Sequence, residues 1–522
     1  MATSAPPVAH PPLEGSARLW GTIALSAATF MNVLDSSIAN VSLPAIAGDL
    51  GVSPNQGTWV ITSFAIANAI AVPLTGWLSQ RFGQVRLFVA SIVLFVIASW
   101  LCGLAPNMPM LIAFRALQGF VAGPMIPLSQ TLLLSSYPRA SAGLAMALWS
   151  MTTLVAPVMG PLLGGWITDN ITWSWIFYIN IPVGIVAAFG AWGIYHKRES
   201  VRHKLPIDRV GLALLVVWIG CMQMVLDLGK EYDWFHSQLI VGLTVIAIVG
   251  FAFFIIWELT DKHPVVALRL FAGRNFWAGT LAVSIGYGLF FGNVVLLPLW
   301  LQQFMGYTAT DAGMVTAPVG LLALVFSPIV GKTIAKVDPR RYATFAFLVF
   351  AVVLWMRSNF NTQADMRTIL IPTIIQGVAM AFFFIPLMTI TLSGMTPAQM
   401  PFASGLSNFV RITAGAIGTS VSTTLWESRA ALHHAQLVES VGPGSNVAMQ
   451  TLQGLQASGL SPEQALAQIN RLVDQQSFMM AANDIFYGSA VLFLCLIPLV
   501  WLTHPQKSPA GSGGADAAAG AH

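Results

Sequence analysis

Asp35 sits in L-D-S-S-I-A-N-V-S-L-P, residues 34–44, inside a long apolar run. A charge within a bilayer costs about 2.5–3.5 kcal/mol on insertion scales, and a buried carboxylate escapes that cost by accepting a proton. Asp35 is therefore a candidate proton carrier; the alternative is a static partner for an arginine or polar group on a neighbouring helix. Arg115, in R-A-L-Q-G-F-V-A-G-P (115–124), is a basic residue in a similar setting, with an anchor to backbone carbonyls as its structural alternative. Asn32, Gln118, Asn293, Asn408 and Arg411 are polar side chains in apolar runs and candidates to line a central cavity.

Other chemistry is set aside by spacing. Gly331-Lys332-Thr333 resembles the end of a phosphate loop, but Phe326 stands where the first glycine is needed, so ATP is not expected to drive the protein. His433 and His434 are adjacent and share no helix face, which argues against a metal site. Cys102, Cys221 and Cys495 offer neither a disulfide framework nor a ligand spacing. Enzyme activity and a cofactor are not expected.

The elements that must hold these residues are helices in a membrane. The 522 residues are 56% hydrophobic and only 8% charged, where soluble proteins carry about 25%. Fourteen apolar runs are long enough to span: 19–44, 57–79, 87–104, 109–135, 143–166, 174–195, 209–228, 237–258, 276–302, 312–334, 341–357, 368–394, 404–427 and 479–503. The pair 209–228 and 237–258 decides between twelve spans and fourteen. With a cytoplasmic N-terminus, inside segments hold seventeen of the 24 Lys and Arg. Outer loops hold five (Lys230, Arg357, Arg367, Arg429, Arg471), so both termini are expected inside. The dispersed basic residues suggest no nucleic-acid role.

The fifth run contains V-A-P-V-M-G-P-L-L-G-G, residues 155–165. Pro157 and Pro161 each remove a helix donor, and Gly160 and Gly164, followed by Gly165, have the spacing that admits close helix approach. The second half echoes the first: G-W-L-S-Q-R-F-G-Q-V-R (76–86) aligns with 331–341 at an offset of 255, and Gln376-Gly377 with Gln118-Gly119 at 258. Two six-helix halves of parallel orientation around an inserted pair are a transporter architecture. The expected organisation is an N-terminal segment 1–18, a half at 19–195, a linker with the inserted pair at 196–275 and a half at 276–503. The second half includes an outer loop, 428–478; a disordered tail covers 504–522. The repeat sets residues 155–165 against Gly415 to Gly418 across a pseudo-twofold, which favours a gate face between the halves. In the outer loop Ser461 signals a helix start, and Ala465, Leu466, Ile469 and Leu472 would form an apolar stripe.

At these motifs the chain resembles the major facilitator superfamily, and within it the fourteen-span EmrB/QacA drug:proton antiporters, over residues 15–505. The resemblance rests on the loop 76–86 (Gly76, Gln80, Arg81, Gly83, Arg86), the fourth-helix motif at 115–124, the antiporter motif at 156–165 and the first-helix motif at 34–44. It implies an all-α major facilitator fold of fourteen transmembrane helices in a bacterial inner membrane. It also implies proton-driven export of hydrophobic or amphipathic drugs, with Asp35 and Arg115 near the coupling path. The implied partners are a membrane-fusion adaptor of the EmrA type and, through it, an outer-membrane channel of the TolC type. The chain departs from the pattern at Gln80, where the loop usually has Asp; a glutamine cannot form an ion pair. Export of one defined metabolite such as a siderophore or fatty acid, and proton-coupled import, are the alternatives.

Overall fold

The computed structural model describes residues 11–138, 141–202, 206, 208–262, 264–441 and 445–504, and every regular element within them is helical. The first half comprises α1 (Gly15–Asp49), α2 (Pro54–Gly57), α3 (Trp59–Ala71), α4 (Thr75–Phe82), α5 (Gln84–Gly103), α6 (Met108–Ala122), α7 (Met125–Ser136), α8 (Ala142–Asn170), α9 (Trp175–Tyr178) and α10 (Asn180–Tyr195). The pair α11 (Arg209–Leu228) and α12 (Gln238–Thr260) follows. The second half runs through α13 (Arg274–Phe304), α14 (Ala309–Thr316), α15 (Pro318–Thr333), α16 (Pro339–Arg357), α17 (Met366–Thr391), α18 (Met400–Ser440), α19 (Asn446–Ala457) and α20 (Pro462–Trp501).

Among the described residues, eleven helical segments are long and apolar enough to cross a membrane. Two bent pairs, α3 with α4 (63°) and the two parts of α8 (42°), bring the number to thirteen. The more polar α18 falls outside that number but lies along α13 as α8 lies along α1, in the place of a fourteenth span. The bend in α8 falls between Pro157 and Leu162, where prolines interrupt the hydrogen-bond ladder.

Helix neighbours repeat. In the first half α1 packs on α8 and α10, α3 on α6, and α5 on α6 and α10. In the second, α13 packs on α18 and α20, α15 on α17, and α16 on α17 and α20. The halves meet where α8 packs on α15 and α17 and where α18 packs on α4 and α7; α11 lies outside against α3 and α12. One end of the bundle carries the two related loops, 76–86 and 331–341, and is the motif end.

Two sequence expectations are corrected. Segment 428–478 is not a loop: α18 continues to Ser440 and α20 begins at Pro462, so the two helices project as a hairpin capped by α19. Ser461 does start α20, its hydroxyl accepting from the Gln464 amide at 3.2 Å while Gln464 returns a bond to the Ser461 amide. The hairpin is stapled by Asp484, which meets Arg429 and His433 at 2.8 Å each, and by Asp474 with His434 at 3.3 Å. The proposed stripe divides: Ala465 is buried, whereas Leu466 and Leu472 are exposed. Arg357, expected in an outer loop, is buried at the end of α16. The tail from residue 505 lies outside the described residues.

Candidate functional site

Asp35 and Arg115 form a wholly buried ion pair at 2.6 Å. Helix α1 presents Asp35 toward α6, where Arg115 and Gln118 lie one turn apart on the same face. Gln118 Nε2 donates to Asp35 Oδ1 at 3.1 Å, and Asn180 Nδ2, at the start of α10, donates to the same oxygen at 2.7 Å. Arg115 also donates to Gln118 Oε1 (2.8 Å) and the Val60 carbonyl (3.0 Å), with its guanidinium 4.3 Å from the Phe64 ring centroid. Asn180 also donates to Ser99 Oγ at 3.0 Å, and Ser99 in turn donates to the Phe177 carbonyl. Three donors converge on one carboxylate, an arrangement that suits its ionised, acceptor-only form. Of the three donors, only Arg115 carries charge.

The second half holds a related cluster without a carboxylate. Asp35, Ser99, Arg115 and Gln118 stand 258 residues before Asn293, Arg357, Thr373 and Gln376. Arg357 Nη2 donates to Gln376 Oε1 at 2.7 Å and to Thr373 Oγ1 at 3.1 Å, and its Nε finds no acceptor among the described residues. Asn293 donates to the Leu289 carbonyl and to Ser489 Oγ (3.1 Å), and its Oδ1 finds no donor among the described residues. Sequence reasoning missed Arg357, Asn180 and Ser99; the constant offset was the signal that places Arg357.

The five cavity candidates separate. Gln118 belongs to the ion-pair cluster, and Asn32 donates to the Ala122 carbonyl at 3.1 Å. Asn293 belongs to the second-half cluster. Asn408 and Arg411 are joined, Arg411 Nη2 donating to Asn408 Oδ1 at 2.7 Å while its guanidinium lies over Tyr287 (4.6 Å) and Phe384 (5.7 Å).

The small residues of α8 face α1. A Cβ on Gly160 would lie 2.5 Å from Ser37 Oγ, and one on Gly164 2.8 Å from the Ile38 carbonyl oxygen; Ser37 Oγ donates to the Pro157 carbonyl. Gly418 abuts Gly288 of α13 in the same manner. The two stretches thus do not face each other across the halves. Each seats the first helix of its own half, because bare backbone is what permits that approach. Across the halves, Gly143 and Gly331 meet each other, and a Cβ on either would lie under 3 Å from the other's carbonyl oxygen.

In the motif loop, Gly76 packs against the Phe402 ring of α18, and Arg81 lies over Trp77 at 5.6 Å. Gly83, at φ +93°, turns the chain beside Glu199. Glu199 caps α5 by accepting from the amides of Val85 (3.0 Å) and Arg86 (2.9 Å). It is a carboxylate at a helix N-terminus, where negative charge is favoured. Position 80 itself carries no acid, and sequence reasoning missed Glu199, which follows Lys197 and Arg198.

A helical, multi-pass bundle with a repeated neighbour pattern and a buried charge cluster in one half defines a secondary membrane transporter. The chain belongs to the Major Facilitator Superfamily, whose sequence model matches residues 25–419. It is 51% identical to the Multidrug export protein EmrB of Escherichia coli (strain K12) over 504 residues, 96% of this chain and 98% of that one. It is 50% identical to the Fatty acid resistance protein FarB of Neisseria gonorrhoeae, across 97% and 99% of the two chains. The crystal structure of the human organic anion transporter MFSD10 (TETRAN) shares the fold at a TM-score of 0.56 and 12% identity, covering 94% of this chain and all of that one.

Proposed function

We propose that this protein is a proton-coupled antiporter that exports hydrophobic or amphipathic toxic compounds across the bacterial inner membrane, with both termini in the cytoplasm. The observation that carries the proposal is the buried Asp35–Arg115 pair at 2.6 Å, the one carboxylate–guanidinium pair among the described residues that is wholly buried. Asp35 takes a proton from outside, Arg115 is released toward Gln118, and the altered charge biases the halves between two arrangements. The near-identical length and 51% identity shared with a Multidrug export protein support the direction and substrate class. By the same likeness the chain serves as the inner-membrane part of a tripartite pump, with an adaptor of the EmrA type and a channel of the TolC type. In proteoliposomes with an imposed pH gradient, Asp35→Asn is expected to abolish gradient-driven export while the protein remains folded. Export at the wild-type rate by that variant overturns the reading.

A narrower reading, fatty acids as substrate, is favoured by the 50% identity to a Fatty acid resistance protein. A substrate panel that returns fatty acids alone selects it over polyspecific export.

A further inference from the structure

Between the halves, toward the motif end, lies a polar contact that neither the ion pair nor the sequence motifs account for. Gln130 of α7 is fully buried. Its Oε1 accepts from Asn408 Nδ2 at 3.0 Å and, by a short bond, from Ser404 Oγ, both on α18 of the other half. Ser404 also points at the Pro127 carbonyl (3.3 Å), and Gln130 Nε2 faces the sulfurs of Met388 (3.6 Å) on α17 and Met146 (4.0 Å) on α8. One amide therefore touches two of the second-half helices, α17 and α18, that close against the first.

The polarity of this contact is set from the second half. Arg411 donates to Asn408 Oδ1 at 2.7 Å, and a guanidinium only donates. The Asn408 oxygen is thus committed to Arg411, and its Nδ2 must turn toward Gln130. Separating the halves breaks these bonds together and exchanges them for bonds to water as the end opens, which leaves a modest net cost.

We propose that Gln130 is a coupling residue: with Ser404 and Asn408, oriented by Arg411, it forms a clasp that holds the motif end shut and must release when that end opens. The inference rests on the reading above that the halves move between two arrangements, the alternating access of a transporter.

Spin labels at Arg86→Cys and Lys336→Cys, both exposed on the motif end and on opposite halves, report the opening by electron–electron distance, with Cys221 and Cys495 replaced by serine. In the full-length protein in lipid, Gln130→Met is expected to raise the open-to-closed ratio about tenfold, as loss of two buried hydrogen bonds implies. Ser404→Ala is expected to raise it less, and the double variant no more than Gln130→Met alone, because both remove one contact. A wild-type distribution in Gln130→Met, or additive shifts in the double variant, overturns the clasp. A single distance in the parent labelled protein that no pH or gradient alters overturns alternating access itself, and the clasp with it.

Discussion

At the scale of single residues, the Asp35 cluster is a charge held by converging donors rather than by one partner. Asp35 accepts from Arg115, Gln118 and Asn180, and Arg115 accepts nothing in return. Removing either charge alone leaves the other buried and unpaired, a loss of about 3–5 kcal/mol. Arg115→Met is therefore expected to lower thermal stability strongly. Asp35→Asn should cost less, since an amide oxygen still accepts from Arg115. The double variant Asp35→Asn/Arg115→Met leaves no buried charge and should recover much of the stability while remaining unable to couple export to a gradient. Melting temperatures and flux measured together decide it: a double variant that exports on a pH gradient would make the pair a structural anchor.

At the scale of elements, two features that look alike in sequence behave differently in space. The proline and glycine spacing of residues 155–165 was legible, and so was the bend that falls there. Which helix the bare face meets was not, because that depends on Ser37 and Ile38 presenting their own backbone to it. Gly164→Leu is accordingly expected to disrupt the packing of α1 on α8, reducing folded yield in detergent. Gly331→Ala, against Ala147 and the Gly143 carbonyl, should instead favour separation of the halves. Size-exclusion profiles and accessibility of labels at the motif end separate the two effects; normal folding and transport in Gly164→Leu would contradict the assignment.

The start of α16 gives a pH-dependent counterpart to the Glu199 cap. Asp338 accepts from the Arg340 amide at 3.0 Å and pairs with its guanidinium at 2.6 Å. The hydrogen bond from the Arg340 side chain holds the Asp338 carboxyl below the usual carboxylate range. A folded value below the unfolded one, about 3.9, means the cap contributes fully above that value and is lost as pH falls through the depressed one. Hydrogen exchange in the first turn of α16 should stay slow as pH drops from 5 to 4. In Arg340→Gln the same turn should exchange faster already at pH 5 and lose its cap at a higher pH than the wild type does; identical profiles would show that Arg340 does not hold the cap.

At the scale of the whole molecule, the halves share an architecture and differ in charge. Length, apolarity and the loop repeat made the fourteen helices and the two halves readable from sequence. The hairpin of α18 and α20 was not, since its Gln-rich, polar composition matches a loop as well as a solvent-facing helix, and only the staples through Asp484 and Asp474 fix it. The charge asymmetry was written in the 258-residue offset, yet reading it required knowing that position 357 lies inside the bundle. In the first half the guanidinium has a counter-charge; in the second Arg357 leans on Gln376 and Thr373, both neutral. Removing Arg357 thus takes away a desolvated charge and strands no opposite one, so the two arginines should respond with opposite sign. Arg357→Met is expected to hold or raise the melting temperature, whereas Arg115→Met lowers it. Parallel thermal-shift measurements in the same lipid test this directly: equal losses for the two variants would mean that Arg357 has a compensating negative partner, and that the halves are electrostatically alike after all.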